Sequence, residues 1–259
     1  MSEPAAAGNV LSEALHLAEE TPKIPLVHLN IGGIDLSVNM MVVTMWLAVA
    51  LVILFIFAAR RKPKLVPGPL QTIAEYILLF IRDNIVMEMM GKAGLPWLSF
   101  LATLFFFILF CNMLGLIPGL ASPTGNISVP LTLALIVFIA THITGAIKHG
   151  PWKYFRGLLL PPGAPLWLAP LFVPLELIGA ISKPVSLTIR LFANMLAGHM
   201  VLVIFIGLIL FFATYIVAPF PLLLAVAVGI LEIAFKILQA YVFTVLSAMY
   251  IGDALHGAH

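Results

Sequence analysis

Apolar residues run along this chain in blocks too long and too unbroken for a fold that meets water on most of its surface. Residues 38–59 contain no charged side chain and have the length of a membrane-spanning helix. The block stops at RRKPK, residues 60–64, and cations beside a span mark the cytoplasmic or matrix side. The N-terminus is therefore expected outside. Residues 1–37 are more polar and read as an outer segment, with a short surface helix over residues 9–20 and then an irregular lead-in, TPKIPLVHLNIGGID, broken by Pro and Gly.

The pattern changes over residues 70–90. Gln71, Glu75 and Arg82 recur at helical spacing on one face, and Ile73, Ile77, Phe80 and Ile81 lie mostly off it. This predicts an amphipathic helix on the inner membrane surface rather than a span. Residues 97–117 predict the second span, GLIPGLASPTGN an outer turn, and residues 129–147 the third span. The third ends at KHGPWKYFRG, where Lys148, Lys153 and Arg156 again fall on the inner side, so one topology satisfies the charge rule twice.

Residues 166–213 are mostly apolar. As a straight helix they would reach about 70 Å, more than twice a hydrocarbon core of about 30 Å. They are either two segments broken near Pro184 or one steeply tilted helix. Residues 222–251 predict the last helix, and GDALHGAH an inner tail. The expected fold is an all-α polytopic membrane protein, a single membrane domain over residues 38–259. It has about five crossings plus the surface helix, and its last two helices form a long tilted hairpin.

Composition agrees with lipid as the main solvent: 62% of residues are hydrophobic and 9% charged, with a mean hydropathy of +1.14. A soluble domain carries roughly a quarter charged residues. Strands of a β-barrel would alternate apolar and polar positions, and these runs do not. The formal net charge of +2 says less than the placement of the cations. The one cysteine, Cys111, excludes an intrachain disulfide and reads as a small buried hydrophobe. The first twenty-two residues lack Lys and Arg, against a signal or Arg-rich transit peptide. No internal repeat and no phosphate-cradling Gly loop is present, and neither cofactor nor metal is expected.

Candidate chemistry lies in the long stretch. Glu176, Lys183 and Arg190 are spaced seven apart, so they return to one face with a drift of about 20° per step. Asn194 continues that face, with Gly179, Ala180, Ser186 and Ala197 close by. Small residues let another helix approach in lipid, so the stripe reads as a docking surface beside a permanent cation. In the last helix Glu232 and Gln239 are seven apart, with Lys236 between them. In an antiparallel hairpin Arg190 and Gln239 share a depth, and Glu232 meets His199 toward the outer side. His and Glu can be tuned near neutral pH, so they suit proton uptake, with Glu176 on the far side of Arg190 as an exit. Blander readings are snorkelling of Arg190 and Lys183, a packing role for His199, an i, i+4 salt bridge for Glu232 and Lys236, and helix–helix glue for Asn112 and His142.

SKPVSLTIRLFANMLAGH, residues 182–199, closely resembles the signature of subunit a of F-type ATP synthases, the stator subunit of the Fo proton motor. LEIAFKILQAYVFTVLSAMYI, residues 231–251, and FCNMLGLIPG, residues 110–119, also resemble that family. The likeness covers about residues 30–253. It implies that Arg190 is the stator arginine facing the c-ring carboxylate, with Asn194 and Gln239 as neighbours. By the same resemblance His199 and Glu232 line an outer half-channel, and Glu176 an inner one.

The long stretch would then be one inclined helix. The implied partners are the c-ring, the peripheral-stalk b subunits and membrane lipid, with no nucleic acid. The chain would bind no nucleotide and would be no enzyme by itself. It would lie in the bacterial inner membrane, with the N-terminus outside and the C-terminus in the cytoplasm, or alternatively in the mitochondrial inner membrane. Lys236 departs from the family pattern, which is uncharged there. As possible modulators, Lys236 and Lys183 stand apart from the relay residues: a cation one turn from Glu232 either ties it into a salt bridge or faces water. The alternative function is a secondary transporter that binds an anionic substrate at Arg190. Such proteins usually carry internal repeats, which this chain lacks.

Overall fold

The computed structural model describes residues 25–27, 30–31, 34–35, 37–60, 68–117, 120–159, 169–212 and 219–257. The surface helix expected over residues 9–20 lies outside the described residues. The lead-in read as irregular contains two minimal antiparallel ladders. Strand β1 (Pro25–Val27) pairs with β4 (Val38–Asn39), and β2 (Asn30–Ile31) pairs with β3 (Ile34–Asp35). The second ladder brackets Gly32 and Gly33, the sequence signal for a tight turn.

Helix α1 (Met40–Arg60) opens on Asn39, whose Oδ1 accepts from Val42 N at 3.1 Å, an N-cap. It is apolar all round, and Leu54 and Phe57 are well exposed, as lipid-facing positions should be. Helix α2 (Pro69–Ile81) starts with Pro at its first turn, where the missing N–H costs nothing. Gln71 Nε2 donates to Glu75 Oε1 at 2.7 Å, one turn on. A π-helical turn (Arg82–Val86) and a last turn (Met87–Met89) extend it. The wider turn brings Ile81, Ile85, Val86 and Met90 all into the core, each fully buried. Outside, Arg82 Nε donates to Asp83 Oδ1 at 2.7 Å and this bond holds the Asp83 carboxyl below its ordinary range. The pair is exposed, so it adds little stability.

A 3₁₀ segment (Gly91–Trp97) leads into α3 (Leu98–Leu114). This helix is the centre of the core: Leu101, Phe105, Phe106 and Ile108 are buried with Val52 of α1 and with Phe243, Ile251 and Leu255 of the last helix. Cys111 is fully buried at its end, beside Ala48. Helix α4 (Ser128–His149) ends at Gly150, whose φ of 82° only glycine adopts freely. Pro151 then starts α5 (Pro151–Leu159), an element absent from the expectation above. The Gly-Pro pair is a helix stop followed by a helix start, and the Lys and Arg around it had been read only as topology signals.

Helix α6 (Ala169–Phe212) is a single helix of 44 residues with Pro174 and Pro184 inside it. At 1.5 Å per residue it is about 66 Å long, so the break considered at Pro184 does not occur. Helix α7 (Pro219–His256) returns alongside it. Five helical segments among the described residues are long and apolar enough to cross a membrane: those starting at Met40, Gly91, Ser128, Ala169 and Leu223. The 69–89 helix is not among them. The expected all-α polytopic fold is thus observed, with an added strand pair of ladders at its start.

The inner tail expected after residue 251 is instead helix, which runs to His256 and stops at Gly257, φ 72°. Gly252, the first residue of that expected tail, lies inside the helix. It is in fact a contact residue: a Cβ there would stand 2.6 Å from Met89 O. Ala254 and Leu255 then complete the core.

Candidate functional site at the α6–α7 seam

The register of α6 against α7 is fixed by three contacts. Lys183 Nζ lies 5.2 Å from the Tyr250 ring centre. Asn194 Nδ2 donates to Phe235 O at 3.4 Å. Gly198 faces Glu232: a Cβ on it would fall 2.8 Å from Oε1. The partners rise along one helix as they descend the other, so the pair is antiparallel. Four residues before Asn194 is Arg190, and four after Phe235 is Gln239, which puts these two at one level.

Arg190 is exposed on the outward side of α6. It helps line a shallow groove of about 500 Å³ with Ser182, Val185, Ser186 and Ile189. No carboxylate lies within ion-pair distance of it among the described residues. Gln239 is buried on the inward side, and its Nε2 has no hydrogen-bond partner.

Toward one end of the seam lies a buried ion pair. Lys236 Nζ is 2.8 Å from Glu232 Oε1, with side chains 2% and 6% exposed. Asn112 of α3 donates from Nδ2 to Lys236 O at 3.3 Å, and its Oδ1 accepts from Thr124 Oγ1 at 2.8 Å. Asn112 therefore does join helices. Of the two alternatives for Lys236, the structure shows the salt bridge. His199 is a residue of α6 next to Gly198, but its side chain lies outside the described residues.

Toward the other end is a cavity of about 970 Å³ among α4, α5, α6 and α7, lined by Glu176, Lys183, His142, Tyr154, Tyr250 and Asp253. His142 Nδ1 and Tyr154 Oη are 3.0 Å apart across the α4–α5 corner. Burial holds the Tyr154 phenol above its usual range. This is the end where His149 meets Gly257 and Met89 meets Gly252, and where Lys153 and Arg156 sit.

The single face expected for Glu176, Lys183 and Arg190 divides. The first two line the cavity and the third lines the outer groove. Two drifts of about 20° accumulate between Glu176 and Arg190, and Pro184 falls within that interval. Sequence reasoning missed Tyr250 and Asp253. The signal was present, since Asp253 continues the seven-residue spacing of Glu232 and Gln239 after Leu246, and Tyr250 continues that of Lys236 after Phe243.

Comparison with known proteins places the same segments. The family described as ATP synthase A chain matches residues 42–252, which include every element from α1 to most of α7. An ATP synthase subunit a of Myxococcus xanthus is 43% identical, over 88% of this chain and 76% of its own length. One from Parvibaculum lavamentivorans is 40% identical, over 91% of both chains. One from Magnetococcus marinus is 40% identical over 95% of this chain and 98% of its own. Near-complete coverage at this identity, on a five-span helical fold with a cation on the face of its longest helix, leaves one assignment: the chain belongs to the ATP synthase A chain family, the subunit a proteins of ATP synthase.

Proposed function

We propose that this chain is the proton-translocating stator subunit of the membrane sector of ATP synthase, with Arg190 facing the carboxylate of a rotating c-ring. The observation that carries the reading is Arg190 itself: an exposed cation with no acidic partner among the described residues, in a groove edged by Ser182 and Ser186. A charge within an apolar segment is expensive and marks an ion pathway or a partner charge. The small serines let a second helix come close.

In this reading the seam with Asn194, His199, Glu232 and Gln239 supplies protons from the outer side. The cavity with Glu176 releases them on the inner side, where Lys148, Lys153 and Arg156 lie. A ring carboxylate in lipid travels neutral, because a bare anion there is costly. Near Arg190 its ionised form is favoured, and the proton leaves toward Glu176. The fixed guanidinium repels protons that would pass directly between the two routes. The driving force is about 2.3 kcal/mol per charge per 100 mV. The same reading puts the chain in the bacterial inner membrane with the N-terminus outside and the C-terminus in the cytoplasm. Its partners would be the c-ring and the b subunits of the peripheral stalk.

Cysteine cross-linking tests the docking face. Ser186→Cys paired with a cysteine one turn from the ring carboxylate is expected to form a disulfide in the assembled complex. A cross-link obtained only from the Glu176 cavity side would reject Arg190 as the ring-facing residue. A further expectation concerns Glu232→Gln. It should assemble and slow proton flow by roughly 10²-fold, the lower end of a lost proton-transfer group. Flow at the wild-type rate would remove Glu232 from the route.

A further inference from the structure

Among the described residues, three polar atoms on one face of α7 are sealed from solvent without a hydrogen-bond partner: Glu232 Oε2, Lys236 Nζ and Gln239 Nε2. Their residues stand at i, i+4 and i+7, which aligns them along the helix. Protein interiors leave few such groups orphaned, and in an apolar setting each is costly until a polar species reaches it. The Lys236 ammonium is 2.8 Å from Glu232 Oε1, an ion pair that leaves the other Nζ hydrogens without an acceptor among the described residues. At 1% exposure Lys236 is one of the largest fully buried side chains, so it does not snorkel to an interface. Two features keep it there. Asn112, itself held by Thr124, anchors the backbone carbonyl of Lys236. Gly198 leaves the carboxylate of Glu232 the room that a Cβ would take.

We propose that Lys236 is a positioning residue for proton transfer: it pins Glu232 Oε1, so that Oε2 alone meets a file of water running along the seam to Gln239. The proposal rests on the reading of Glu232 as a proton carrier. A hydrated proton binds at Oε2 and leaves from Oε2 to the next water, and Lys236 keeps its own proton throughout. Its charge compensates the carboxylate whenever Glu232 has passed its proton on, so the emptied site is no bare anion in an apolar setting. Water donates to Oε2 and accepts from the free hydrogens of Nζ and Nε2, which satisfies all three orphans. With Gln239 level with Arg190, such a file ends at the depth of the proposed ring-facing arginine, on the inward side of the seam.

The test uses the whole reconstituted ATP synthase, with proton flow normalised to assembled complex. K236M is expected to slow flow about tenfold, the scale of coupling within a buried pair. K236R should recover at least half of the wild-type rate, because it restores the cation. E232Q/K236M should be no slower than E232Q, since the lysine acts only through the carboxylate. Wild-type flow in K236M overturns the proposal. So does K236R as slow as K236M, which would make the lysine a space-filler, or a double variant slower than E232Q. If K236M alone fails to assemble, the comparison of the double variant with E232Q decides, because removing both charges leaves no unpaired ion. Arg190→Ala separates the two levels. Normal pumping in that variant rejects the stator reading, whereas loss of pumping together with normal K236M flow rejects only the role of Lys236.

Discussion

Arg190→Ala is expected to abolish ATP synthesis driven by a proton gradient and ATP-driven proton pumping alike, with the complex still assembled. Exposure on the outer face of α6 means that truncation leaves no cavity in the core of this chain, so assembly should survive. What is lost is the fixed positive charge on the outward face of α6 at that level. Under the proposed function, a ring carboxylate passing α6 then has no reason to give up its proton, and the barrier between the two proposed routes disappears. The complex should then leak protons passively while failing to couple. Arg190→Lys should fail nearly as completely: an ammonium is a strongly hydrated point charge, whereas guanidinium is a planar fork that stays charged in any site. ATP hydrolysis, fluorescence-reported pumping and passive leak, measured on the same vesicles, check this. Retained pumping in the alanine variant is incompatible with the proposed function.

Gly252→Val is expected to reduce assembled complex severely. The Cβ of any residue other than glycine would sit 2.6 Å from Met89 O and 3.3 Å from Met90 Cγ. The first is a backbone atom just before the 3₁₀ segment and cannot rotate aside. Relief requires α7 to move off the 69–97 region, where Ile81, Ile85, Val86 and Met90 share a core with Phe243 and Ile251. Overpacking of this kind typically costs about 1–3 kcal/mol, more when backbone must shift. Gly252→Ala should show a milder form of the same defect. Thermal melting of the purified complex, with immunoblot yield, reads both variants. An alanine variant as stable as wild type would mean that the close approach of α7 to Met89 is not tight.

Both predictions bear on what sequence could and could not supply. Hydropathy marked the five crossings because a span must be apolar over its whole length, whatever it packs against. The hairpin register was also within reach, since an antiparallel pair with seven-residue spacing leaves little freedom in which residues meet. The last helix runs past the expected end at residue 251 because a glycine that ends a helix and a glycine that admits a neighbouring backbone look alike in one dimension. Only the packing of Met89 tells them apart. Helix α5 was hidden by its own cations, which serve in the sequence as markers of the inner side and carry no helix signal. The division of Arg190 from Glu176 follows from a drift that the seven-residue spacing does carry, but where that drift crosses from one groove to the other depends on the packing around α6. Sequence leaves Lys236 open between water and a salt bridge, because the burial that excludes bulk water comes from residues as distant as Asn112, 124 positions away.

One buried side chain has a practical consequence. The thiol of Cys111 is fully enclosed by Ala48 and Leu114, so thiol reagents in water or lipid should pass it by. A cysteine introduced anywhere along the outer groove would then be the sole labelling target on the native background. Spin labels or fluorophores set at Ile189 or Val185 could therefore report on the proposed ring contact without first stripping this chain of its thiol.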